Sequence, residues 1–491
     1  MGITRWIFFI AYLVGVYVIG YFAYKKTAGL SEFYVAGKSL GTIEMTAAFT
    51  SAFVSASSIL GYVAFAYSNG WSMILLYGGG CALGWILLSL VAPKLTRFEK
   101  GVTSPDIFAE RFYSEKMRLL FAIVFIMWQA LFLVQQFMGI GYVLEAFLGI
   151  PYWIGVLIIG VTLVIYISSG GMRSVVWTDV LQVIIMIVGV FIAAIVVMVM
   201  TGGFSGLNQA ASTVVATGKP VGFMTSMTGG FSWLYLIGIA IPLGMIIVTV
   251  PFYHRMFFSV KNVKTAVGGI GISTLILIPF YLCIGIIGVG ARQFLPSLAT
   301  PDRAFPTLVS TTMSPLMGTL ILTCIVAAIM SSLDSLLLAV GAMCSHDIFK
   351  GFIKKDATEK QELEVTRWSI IVIGLAGALV SLKPPATIIG MYNIIIGVVS
   401  STLFPALLLG LFWKRTTKEG AFIGSIVGCI VAWVWIAFGP KAIPAALIGV
   451  PVGAILVVVI SLFTPEPPKT ALAQFFDDEK VALKNQSAQS M

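Results

Sequence analysis

The chain has 491 residues, 59% of them hydrophobic and only 10% charged, with a mean hydropathy of +1.01 and a formal net charge of +10. A soluble domain carries about 25% charged residues, so a water-soluble fold around one core is excluded and an all-α integral membrane protein is expected. The basic residues are dispersed over many short connections, which excludes a nucleic-acid surface and suits contact with anionic lipid.

A bilayer core takes about 20 apolar residues per helix. The first apolar run covers about 5–24 and is closed by Lys25 and Lys26. It is too long for a secretory signal and lacks a small-residue cleavage site, so it reads as a retained span. Further candidate spans follow at 42–67, 71–92, 118–146, 151–169 and 175–200, then 231–251, 264–290, 315–345, 367–382 and 387–413, and finally 420–438 and 443–463. With these 13 spans and the N-terminus outside, only Arg5, Lys219, Arg292, Arg303, Lys383 and Lys441 of the 30 basic residues face outward. That asymmetry is the positive-inside rule, and it places the polar tail after Pro468 in the cytoplasm. The connection 346–367 is mixed in charge and reads as a short solvated helix.

The five cysteines lie in or beside apolar segments without C-x-x-C spacing and read as small buried hydrophobes. The two histidines, His254 and His346, stand at segment ends, so no zinc or haem ligand set is expected and no nucleophile–base pair supports an enzyme.

Ionisable groups at membrane depth point to function. Two carboxylates fall there, Asp179 in span 6 and Asp334 in span 9, with no lysine or arginine expected deep enough to pair with them. Around Asp334 the stretch AAIMSSLDS (327–335) puts Ser331, Ser332 and Ser335 within about 1.3 helical turns. Hydroxyls, carbonyls and a carboxylate are what a hard cation such as sodium takes. TSAFVSASSILG (50–61) in span 2 is rich in small polar residues, as in close helix packing or in a discontinuous helix whose carbonyls face a cavity.

These two stretches, with YSNGWS (67–72), SSGGMRSVVWTDVLQ (168–182) and PFYHRMFFSVKNVKTA (251–266), resemble the sodium:solute symporter family in order and spacing over about residues 30–415. The resemblance implies a 5+5 inverted repeat of the leucine-transporter type. Residues 1–40 would hold the first peripheral span and a cytoplasmic loop, 41–200 repeat one and 201–230 an outer loop. Repeat two would be 231–415, spans 12–13 would fill 416–465, and 466–491 would be the cytoplasmic tail. It implies a sodium site made of the carbonyls of Ser51, Val54 and Ala328 and the hydroxyls of Ser331 and Ser332. A second cation site would involve Asp179, Asp334 and Ser335 beside Ser331, with Asp334 standing where relatives have a hydroxyl. The substrate cavity would be lined by Phe53, Ser57, Ser58, Gln135, Gln136, Trp233, Tyr235, Tyr392 and Asn393.

The function so implied is sodium-coupled import of a small organic solute by alternating access, in a cell membrane and by a single chain. The stretches VQQFMGIGYVLEAFLGIPY and LKPP are similar to the pantothenate and monocarboxylate branches, making an organic anion the expected substrate. A proline-like amino acid or a sugar is the alternative. A channel lacks the repeated pore ring it would need, and the tail is too short for a signalling domain.

Overall fold

The computed structural model describes residues 2–26, 33–98 and 101–476. Most of the expected tail, inner-loop residues 27–32, Lys100 and the side chains of Ser168 and Ser169 lie outside that description. Ten helices are long and apolar enough to cross a bilayer, and two bent helix pairs bring the number to 12. The remaining expected span, 151–169, is the first arm of the long helix Tyr152–Met200, whose apolar helical part is Tyr152–Leu163. Gly171 interrupts that helix at φ 60°, a conformation costly for any residue with a Cβ. A Cβ there would also meet the Phe33 ring at 2.6 Å.

Burial sorts the spans into centre and periphery. In Pro315–Ile353 (span 9) 83% of the apolar window is buried, against 28% in Ile3–Ala23, 28% in Lys418–Phe438 and 33% in Ala446–Phe463. Span 9 is therefore the central post, and spans 1, 12 and 13 are among the more exposed ones, as are Gly171–Met200 (33%) and Glu359–Ser381 (28%). Spans 12 and 13 pair through small residues: a Cβ on Gly424 would lie 2.8 Å from the Gly453 carbonyl. Such close backbone approach substitutes in lipid for the hydrophobic effect.

One connection differs from the sequence reading. Residues 346–367 are not a short solvated helix. Span 9 continues as a widened helix, Met343–Ile353, and span 10 already begins at Glu359. Burial is tolerated because the charges satisfy one another. His346 lies 3.3 Å from Asp106 and 3.2 Å from Glu362, Lys350 bridges the other Glu362 oxygen at 2.8 Å, and Arg118 reaches Asp106 and Asp347. Thr103 donates to Asp347 at 2.9 Å. This knot joins the inner helix Ser104–Arg111 to spans 4, 9 and 10. It also groups Asp106, His346 and Asp347 as a ligand cluster the sequence reading did not expect, with the Arg118 guanidinium among them.

Candidate cation and substrate site

Two broken spans build the centre. Span 2 runs as Thr42–Phe53 and Ser57–Asn69, bent by 57°, and span 7 as Trp233–Thr249 and Pro251–Ser259, bent by 43°. Side chains hold both breaks open. At Val54 the backbone turns extended (ψ 101°). The Ser55 N–H then goes to the Ser58 hydroxyl (2.6 Å), and the Ser58 N–H to the Ser55 hydroxyl (3.4 Å). The Ser51 and Val54 carbonyls thereby lose the partners an unbroken helix would give them. Gln136 of span 4 accepts from the Ala56 N–H at 2.8 Å and fixes the second half in place. In span 7, Pro251 removes a donor, while His254 caps the Val248 carbonyl at 2.7 Å and meets Ser104 at 2.9 Å. His254, expected at a segment end, is thus a fully buried brace of the break.

The freed carbonyls face the serine pair of span 9. Ser331 Oγ donates to the Ser51 carbonyl at 3.0 Å and to the Ala328 carbonyl at 2.9 Å, and Ser332 Oγ to the Val54 carbonyl at 3.2 Å. The structure therefore brings all five expected sodium ligands, Ser51, Val54, Ala328, Ser331 and Ser332, into mutual reach, and all are almost wholly buried. Their oxygens come from two helices, so a cation held there would tie span 2 to span 9.

Asp179, Asp334 and Ser335 are all buried nearby, at most 1% exposed. Both Asp179 oxygens and the Ser335 hydroxyl lack a hydrogen-bond partner among the described residues. One expectation fails here. Arg255 lies deep enough to serve these acids: it is 2% exposed and donates to the Ser335 carbonyl at 3.3 Å. The second half of span 7, bent by 43° from the first, carries it there.

The expected substrate residues separate into groups. Phe53, Ser58 and Tyr392 line a central cavity of about 30 Å³ between the two breaks, together with Trp128, Phe132 and Tyr253. That is room for a water or two, so an organic solute needs this cavity to open. Tyr235 and Asn393 instead face a larger outer cavity of about 430 Å³ beside Lys441. Gln135 and Gln136 brace the helix breaks: Gln135 joins the Ser57 hydroxyl to the Ile388 carbonyl at the start of span 11. Trp233 is 63% exposed and belongs to neither cavity's lining. Trp128 and Phe132 were not anticipated. They were legible, because Trp128 lies seven residues before Gln135 and hence on the same helix face.

Comparison with known proteins agrees with this architecture. The model of the sodium:solute symporter family matches residues 33–428. The uncharacterized symporter YwcA of Bacillus subtilis (strain 168) is 27% identical over 462 residues, spanning 90% of this chain and 87% of that protein. Among solved structures, a sodium-coupled sialic acid symporter in a substrate-bound outward-open state superposes with a TM-score of 0.80 at 19% identity, covering 94% of this chain and 98% of that one. The nucleobase-cation-symport-1 family transporter Mhp1, in a closed conformation, gives 0.61 at 14% identity, covering 90% and 97%. These structural likenesses carry the fold, an all-helical bundle of membrane-spanning segments. The family match, covering most of the chain, carries more: this protein belongs to the sodium:solute symporter family, with sodium as its coupling ion.

Proposed function

We propose that the chain imports a small organic anion, a monocarboxylate or pantothenate, together with sodium. The observation that carries this reading is a surplus of donors at the centre. Trp128 Nε1 lines the cavity and Gln136 Nε2 lies at the break of span 2, both without an acceptor among the described residues. The Gln136 orientation is fixed by its bond from Ala56. A carboxylate offers only acceptors, whereas a sugar brings as many donors as acceptors and needs a more polar lining than these aromatics supply. A sodium ion on Ser51, Val54, Ala328, Ser331 and Ser332 adds positive field at the same break, and a second cation is held by Asp179, Asp334 and Ser335. On this reading 41–200 and 231–415 are the two repeats that rock against each other, in a single functional chain with its N-terminus outside and its tail in the cytoplasm.

The test is competition in proteoliposomes under a sodium gradient. Excess acetate, pyruvate, lactate or pantothenate should block uptake, and Trp128→Phe should weaken that block. Inhibition by glucose or proline alone contradicts the reading.

A further inference from the structure

The cation locus of Asp179, Asp334 and Ser335 carries an unexplained guanidinium. Arg255 sits on the inner half of span 7, fully buried, with one nitrogen on the Ser335 carbonyl. Its Nε and Nη1 have no acceptor among the described residues, while the equally buried Asp179 carboxylate has only the Ser51 hydroxyl close by and no well-formed hydrogen bond among the described residues. Arg255, Asp334 and Ser51 are the polar groups acting on the Asp179 carboxylate. Orphans of opposite sign beside one locus are costly if permanent. They make sense when the two groups pair in another state. A cavity of about 10 Å³, about the size of one water, is lined by Arg255, Thr103, Ala339 and Met343.

We propose that Arg255 is the internal counter-cation of this locus: in the sodium-free carrier its guanidinium takes the Asp179 carboxylate, and arriving sodium displaces it to the Ser335 carbonyl. Without sodium the guanidinium neutralises the Asp179 carboxylate; with sodium bound, two cations face the two buried carboxylates of Asp179 and Asp334. The empty carrier then returns through the membrane without a bare Asp179 carboxylate, and sodium meets a built-in competitor that limits its affinity. The proposal rests on reading Asp179, Asp334 and Ser335 as a cation site.

The experiment compares wild type, Arg255→Gln and Arg255→Lys in proteoliposomes and by sodium titration of intrinsic fluorescence, for which the chain has 11 tryptophans. Removing one charge on the order of 10 Å away at an effective dielectric of about 20 should tighten sodium binding about tenfold in Arg255→Gln. Net uptake, which needs return of the empty carrier, should fall about tenfold or more by the same estimate, while substrate exchange, which does not, persists. Arg255→Lys should restore net uptake. Wild-type sodium binding in Arg255→Gln, or parallel loss of net uptake and exchange, overturns the proposal. If Asp179→Asn and Asp334→Asn both keep wild-type sodium binding, the cation-site reading itself fails. If they lose it while Arg255→Gln is unchanged, only the counter-cation fails. Should Arg255→Gln not reconstitute, recovery in Asp179→Asn/Arg255→Gln supports the pairing, and failure of that double variant contradicts it.

Discussion

Ser331→Ala removes one oxygen and nothing else from the central post. In the structure that oxygen bonds two carbonyls on different helices, Ser51 at 3.0 Å and Ala328 at 2.9 Å. On the proposed reading it becomes a ligand when sodium binds. A hydrogen bond to a charged group contributes about 1.5–3 kcal/mol, and no water in the hydrocarbon core replaces it without cost. A sodium–hydroxyl contact of that size corresponds to a rise of about 10- to 100-fold in the sodium concentration for half-maximal uptake. Ser332→Ala should act alike through its bond to Val54. Ser401→Ala is the control, since its equally buried hydroxyl bonds only the Gly397 carbonyl within span 11. The assay is initial uptake into proteoliposomes against external sodium at fixed ionic strength. Half-saturation within about twofold of wild type in both variants, well below the expected shift, refutes the assignment.

The acids give further tests. Asp334→Asn should lower the charge moved per substrate or the sodium Hill slope if the side chain binds sodium. If it carries a proton instead, the variant loses pH dependence at unchanged sodium stoichiometry, and wild-type currents at every pH mean that it does neither. Between spans 8 and 9, burial pushes the Asp302 carboxyl up to about 6, partly offset by the N–H of Ile388 at the start of span 11. Because its folded pKa lies above the unfolded value of about 3.9, ionised Asp302 costs stability at neutral pH. The detergent-solubilised protein should gain thermal stability as pH falls through about 6 toward 4, and Asp302→Asn should lack that gain. Asp106 behaves oppositely. Burial would raise its carboxyl, but the bond and charge of His346, then Arg118 and the Thr103 N–H, hold it at about 2. Its contribution is therefore fully present above the unfolded value and lost only as pH falls through about 2. Asp106→Asn, which strips the counter-charge from half-buried Arg118 and His346, should destabilise the protein by about 1–3 kcal/mol in thermal unfolding.

The spans were legible because lipid permits few solutions, and the proposed sodium ligands because their motifs resemble a known family. Apolar runs must be helices, loop charge orients them, and a serine pair beside an acid in such a run is hard to place otherwise. The break at Val54 was legible only as a possibility of composition. No proline or glycine marks it; it is made by Ser55, Ser58 and Gln136, whose roles depend on tertiary contact. Arg255 escaped for a related reason. A basic residue between two apolar runs reads as a loop charge, and only the bend at Pro251 turns it inward. The connection 346–367 was misread because its charges look solvated one at a time, whereas His346, Lys350 and Glu362 are satisfied by one another.

Sodium-coupled symport through this centre is tested most directly by flux of radiolabelled sodium into proteoliposomes, with and without the organic-anion panel outside. The account predicts sodium entry that rises when one of those anions is supplied, accumulation of that anion only while the sodium gradient lasts, and loss of both in the Ser331→Ala/Ser332→Ala protein. Sodium entry that runs equally without any solute, or anion uptake indifferent to sodium, contradicts it.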